Sequence, residues 1–157
     1  KLRAALDQCR GAVELPEAKY LCEAQLQSAM AAKSLIDIEM AIRFTRQQGY
    51  DDLEAFKMAL VDEEKLRTEL LQAQARATLL DDSASDTAIA SAIHLCRLGE
   101  SSGWKDILSE FKMRLEDKVT NATDSVEDLQ CIMKINHLAS KHDALSSLVD
   151  AAEKAKV

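Results

Sequence analysis

Proline is all but missing from this chain: Pro16 is the only one, and there are just four glycines. Folds rich in turns use both residues heavily, so their scarcity leaves long, uninterrupted elements. Aromatic residues are few as well, with one tryptophan, two tyrosines and three phenylalanines. Ala, Leu, Glu, Lys and Gln dominate instead, all strong helix formers. The composition is that of a mostly helical protein.

Positive charge is also short. Twenty Lys and Arg stand against 27 Asp and Glu, for a net charge of −7. A nucleic-acid partner requires a clustered Lys/Arg footprint, and none occurs. The same balance disfavours anionic lipid surfaces. No apolar run approaches the roughly 20 residues that cross a bilayer. The chain opens at Lys1 rather than Met, with no signal peptide, and is expected to be part of a longer chain. An intracellular, cytoplasmic or cytoskeleton-associated location is expected.

The cysteines Cys9, Cys22, Cys96 and Cys131 form no Cys-x-x-Cys pair. Reduced, buried thiols are expected rather than disulfides, because a helical chain of this size does not need staples. Asn121-Ala122-Thr123 fits a glycosylation sequon, a triplet common by chance and discounted without a secretory context.

What the sequence does have is helical periodicity. Leu2, Ala5, Leu6 and Cys9 share one face, ending at Gly11. Pro16 suits the first turn of a second helix carried by Tyr20, Leu21, Ala24, Leu26 and Met30. Ser34 with Asp37 resembles a capping box ahead of a third helix, with Ile38, Ala41, Ile42 and Thr45 as its stripe and Gly49 as its stop. Asp51 or Asp52 is expected to cap the fourth helix, whose stripe is Leu53, Phe56, Ala59 and Leu60. That stripe weakens at Asp62–Lys65 and resumes at Leu66, Leu70, Leu71, Ala73, Ala77 and Leu80. With no breaker between, one long helix over about 52–80 is expected, its middle partly free of the core. Two shorter helices are the alternative.

Asp81-Asp82-Ser83-Ala84-Ser85 is the clearest loop and the expected linker between N-terminal hairpins (1–80) and C-terminal hairpins (86–157), with Ser85 or Asp86 as the next cap. Ile89, Ala92, Ile93 and Cys96 line the fifth helix. Trp104, Ile107, Leu108, Phe111, Leu115 and Val119 line the sixth. Ser125 with Asp128 again forms a cap pair, followed by Val126, Leu129, Ile132, Met133 and Asn136, with Ile135 and Leu138 nearby. Leu145, Leu148, Val149 and Ala152 mark the last helix, before a charged tail. Met58, Met113 and Met133 are assigned to the core on this periodicity, and Trp104, at a helix start beside a loop, is expected to be partly exposed.

Two strings recur. Phe56-Lys57-Met58-Ala59-Leu60-Val61-Asp62 returns as Phe111-Lys112-Met113-Arg114-Leu115-Glu116-Asp117, and Ala41-Ile42 as Ala92-Ile93. Repeat heads at Ala5-Leu6, Ala41-Ile42, Ala92-Ile93 and Ile132-Met133 lie 36, 51 and 40 residues apart, an irregular spacing within the range of helical-hairpin repeats. Neither the tetratricopeptide pattern nor the ankyrin Thr-Pro-Leu-His is present.

Motifs for chemistry fail on context. Gly99-Glu100-Ser101-Ser102-Gly103 matches Gly-x-Ser-x-Gly, but a nucleophile elbow needs a strand before the serine. A turn with Ser102 capping the Trp104 helix is expected instead. Asp81–Asp86 opens like a calcium loop, yet has Asp86 where glycine belongs and Ala92 where the bidentate glutamate belongs. His94, His137 and His142 have no ligand spacing. No phosphate-cradling glycine loop exists, and the carboxylate pairs Asp51/Asp52 and Glu63/Glu64 fall on solvent faces. No catalytic residue, metal or cofactor is expected.

The expected fold is all-α: an irregular helical-hairpin array, solenoid-like or a multi-helix bundle, of about eight helices. Hairpin stacks commonly hold other proteins. The expected function is therefore a non-catalytic scaffold segment that binds other proteins, or helices of the same longer chain. Glu63, Glu64, Arg67, Leu70 and Trp104 are the candidate partner-binding residues. The alternative is a bundle holding a small apolar ligand or pigment between its helices.

Overall fold

The computed structural model describes residues 16–122 and 125–148. Six α-helices account for most of them: α1 (Pro16–Ala32), α2 (Leu35–Gln47), α3 (Glu54–Leu80), α4 (Asp86–Leu98), α5 (Ser102–Thr120) and α6 (Val126–Lys141). A 3-10 turn follows at Asp143–Leu145. No strand occurs among the described residues. Among the described residues the count is six, not about eight. The first expected helix falls on residues outside those described. Of the last, Leu145 lies on the 3-10 turn and only 147 and 148 are described as α-helical.

The local punctuation follows the chemistry of the caps. Ser34, Ser85 and Ser125 each sit in extended backbone and accept the amide three residues on, from Asp37, Ala88 and Asp128. Gly49 ends α2 with φ +79°. Its amide donates to the Arg46 carbonyl while that of Tyr50 reaches Thr45, which closes the helix end in a left-handed turn. The other two expected caps differ. At α3 the Leu53 carbonyl accepts the Phe56 and Lys57 amides, so Asp51 and Asp52 lie ahead of the helix. At α5 the capping position belongs to Ser101, not Ser102, and its hydroxyl makes no cap bond. It accepts instead from Gln72 Nε2 at 2.9 Å.

Two compact units divide the chain within α3, between Leu70 and Leu71. The Asp81–Ser85 loop therefore lies inside the second unit. In the first unit α1 packs on α2. The core there joins Cys22, Leu26 and Ala29 to Ile38, Ala41 and Ile42, and to Leu53, Phe56 and Ala59. Full burial of a side chain such as Leu26 or Ile38 contributes about 1.5–3 kcal/mol. The second unit packs Ala75 and Leu79 with the inner faces of α4, α5 and α6 and with Leu145 and Leu148.

The α2 and α4 stripes are as expected: Ile38, Ala41, Ile42 and Thr45, and Ile89, Ala92, Ile93 and Cys96, are the buried residues. The two helices each have 13 residues and a serine cap. The α5 stripe also holds, with Leu108 only half-buried.

Elsewhere the inward face differs. In α1 it is Cys22, Leu26 and Ala29, leaving Tyr20 and Leu21 exposed. In the second half of α3 it is Ala75 and Leu79; Leu70 and Leu71, like Ala73 and Ala77, face solvent. In α6 it is Ile132, Ile135, Leu138 and Ala139, while Val126, Leu129 and Met133 stay outside. Met58, Met113 and Met133 are 56%, 62% and 64% exposed, against their assignment to the core. Each of these helices carries two overlapping sets of apolar residues at three- and four-residue spacing. Spacing alone cannot choose between them, and the neighbouring helix does.

Cys22 and Cys96 are buried free thiols and Cys131 is half-buried. Cys9 lies outside the described residues.

A groove between two helices as the candidate functional site

In the first unit, α2 and α3 border a groove of about 450 Å³. Helix α2 supplies Glu39, Ile42, Arg43 and Arg46, and α3 supplies Leu60, Glu63 and Arg67. Glu63 and Arg67 are four apart on one helix face and pair locally, Arg67 Nη2 to Glu63 Oε1 at 2.7 Å. The same nitrogen lies 2.7 Å from Glu39 Oε1 on α2. One guanidinium thus joins two carboxylates and ties the helices across the groove. With 55% of the Arg67 side chain accessible, such exposed pairs are worth about 0–1 kcal/mol each; their weight here lies in how they distribute charge.

Arg43 and Arg46 face the same groove. Among the described residues neither has a carboxylate oxygen within ion-pair distance. Arg46 lies over the Phe56 ring, 5.6 Å from its centroid, a cation–π contact.

Of the five nominated residues, the structure brings Glu63 and Arg67 together in this groove. Glu64 is exposed one step round the helix, and Leu70 is exposed one turn beyond Arg67. Trp104 is only 6% exposed. It belongs to the core of the second unit rather than to a surface, because the turn at Gly99 lets the indole fold inward. Sequence reasoning missed Glu39, Arg43 and Arg46. Their three- and four-residue spacing was readable, but the 28-residue separation between Glu39 and Arg67 gives no local signal.

The second unit has a smaller cleft of about 310 Å³ above Leu79, Phe111, Leu115, Ile135 and Leu138, rimmed by Asp82, Lys118, Cys131 and Lys134. Those floor residues are all 2–7% exposed. The rim is tied down. Asp82 pairs with Arg114 at 3.0 Å and with Lys118. Arg114 also donates to the Leu80 carbonyl at the end of α3, and Lys134 to that of Ala84. The Asp81–Ser85 loop, exposed at all but Ala84, is held from α5 and α6 by these contacts.

Among the described residues, three groups titrate away from their ordinary values, each for a local reason. The Lys118 hydrogen bond, with attraction from Lys118 and Arg114, holds the Asp82 carboxyl below the usual range. Hydrogen bonds from the Ser83 side chain and amide do the same for Asp81. Burial pushes the Cys96 thiol up, away from the thiolate that reacts. Among the described residues, no group of three or more His, Cys, Asp or Glu is placed to hold a metal ion, and no helix is long and apolar enough to cross a membrane.

No family model, curated protein or solved structure matches this chain.

Proposed function

We propose that this chain is a non-catalytic scaffold segment of helical hairpins that binds other polypeptides within a larger intracellular assembly, in the cytoplasm or on the cytoskeleton. The outer face of α6 carries this reading. Val126, Leu129 and Met133 are 70%, 41% and 64% exposed at the spacing of one helix face, while the opposite face fills the core. A helix apolar on both sides is the form expected of an element with a neighbour on each. Ile36 and Met40 on α2, at 70% and 64%, repeat the pattern in the first unit.

The matched lengths, serine caps and buried positions of α2 and α4 support reading the units as two copies of one hairpin, offset by 51 residues from Ser34 to Ser85. Such copies stack into arrays whose outer ridges bind proteins. The alternative, an apolar ligand between helices, draws less support, since the cleft of the second unit offers only about 310 Å³ over a floor that is 2–7% exposed.

Affinity capture with the double variant Leu129→Lys/Met133→Lys tests the reading. Helix content and melting should match the parent, because both side chains are outside the core, and recovery of native partners should fall at least several-fold. Identical recovery by parent and variant would remove α6 from the proposal. Turnover of a small-molecule substrate by the purified protein would overturn the scaffold role itself.

A further inference from the structure

Glu39 and Arg43 stand four residues apart on α2, with the acid on the N-terminal side. This is the arrangement in which a local helix pair ordinarily forms. Here Glu39 Oε1 is 2.7 Å from Arg67 Nη2 instead. The same Arg67 also holds Glu63, so one cation occupies both carboxylates of the groove. The cost falls on Arg43 and Arg46, which keep no acidic partner among the described residues.

We infer that this groove receives an acidic polypeptide segment, with Arg43 and Arg46 as its anchors, and that Arg67 keeps them available by holding Glu39 away from Arg43. The inference rests on the protein-binding reading above and supplies the chemistry of the partner. The groove bears three arginines against two glutamates, a local positive surface on a chain of net charge −7. Arg43 and Arg46 are three residues apart, about 4.5 Å along the helix axis. A partner helix with glutamates three or four residues apart presents carboxylates at a similar pitch, and each guanidinium fork matches one carboxylate. Between the charges, Ile42 and the half-buried Leu60 offer an apolar floor for a side chain such as leucine. Because the chain as a whole is negative, the attraction is short-ranged, and salt should weaken it.

The probe is a fluorescein-labelled 15-residue peptide with Glu at i and i+4 around Leu, and its copy with Gln for every Glu, read by anisotropy on the whole chain. The Glu peptide should bind and the Gln copy should bind at least tenfold more weakly. Arg43→Glu should weaken the Glu peptide tenfold or more; Arg43→Gln, gentler on the fold, should do so several-fold, with circular dichroism unchanged in both. Arg67→Ala should also weaken it several-fold by releasing Glu39 to Arg43, and adding Glu39→Gln to Arg67→Ala should restore binding. Equal affinity for both peptides, no effect of either Arg43 variant, or failure of the double variant to rescue would overturn the proposal. So would displacement of the Glu peptide by pyrophosphate at lower concentration than by unlabelled peptide, which would make the groove a phosphate site. If Arg43→Glu still captures native partners that the α6 variant loses, the groove proposal fails and the scaffold reading stands. Loss of capture by neither variant counts against both.

Discussion

Trp104 packs against the bare α-carbon of Gly99: a Cβ built there would stand 2.0 Å from Trp104 Cδ1. The glycine backbone, at φ −72° and ψ 130°, suits any residue, so the need for glycine is the room it leaves for the indole. Gly99→Ala should therefore cost about 1–3 kcal/mol, the usual range for overpacking, and lower Tm by several degrees. Gly103→Ala is the control. Its Cβ would meet Gln72 Nε2 at 2.9 Å, the far end of a flexible side chain that can move aside by giving up its exposed hydrogen bond to Ser101. Its Tm should stay near the parent's; equal losses in the two variants would contradict this packing.

Thr45 is fully buried in the first unit, and among the described residues its hydroxyl has no hydrogen-bond partner. Its counterpart in α4 is Cys96, a small side chain in the same buried register. An unsatisfied buried hydroxyl costs about 1–3 kcal/mol. Thr45→Val should stabilise by about 1 kcal/mol or more in chemical denaturation, whereas Thr45→Ser, which keeps the hydroxyl and loses a methyl, should destabilise.

Lys33 follows α1 with φ +51°, a left-handed conformation that costs a residue with a Cβ about 1–2 kcal/mol. Its amide closes the helix end on the Met30 carbonyl, so the conformation is needed where it stands. Lys33→Gly should raise stability by about 1 kcal/mol in the same denaturation assay, and Lys33→Asn by less. A loss with glycine would show that the lysine side chain contributes more than the strain removes.

Asp82 ties the α3–α4 loop to α5 through Lys118 and Arg114. Its carboxyl is held below the usual range in the folded chain, so the anion is favoured by folding. The stabilisation is present above the unfolded value of about 3.9 and is lost as pH falls through the folded value. Asp82→Asn should be less stable than the parent at neutral pH, and the gap should close as pH drops below about 4. A gap that persisted at pH 2 would mean that the loop is held by something other than this charge.

The serine caps at Ser34, Ser85 and Ser125, the stop at Gly49 and the α2 and α4 stripes were legible because each is set within a few residues. The length of α3 was legible for the same reason, since nothing in it breaks a helix. In the candidate groove Glu63 and Arg67 could be named from their four-residue spacing. Glu39 could not be joined to them, and the vacancy of Arg43 and Arg46 could not be foreseen, because local spacing would have paired Glu39 with Arg43.

The sequence by itself determined that the chain is helical, where most helices begin and end, and that two segments resemble one another; hydrogen bonds and rotamers within one or two turns decide such things. Only the tertiary structure decided which apolar face of α1, α3 and α6 turns inward, that Met58, Met113 and Met133 face out while Trp104 folds in against Gly99, and which carboxylate Arg67 holds. Those choices depend on side chains brought close from far along the chain, where packing and charge compete across helices and local periodicity is silent.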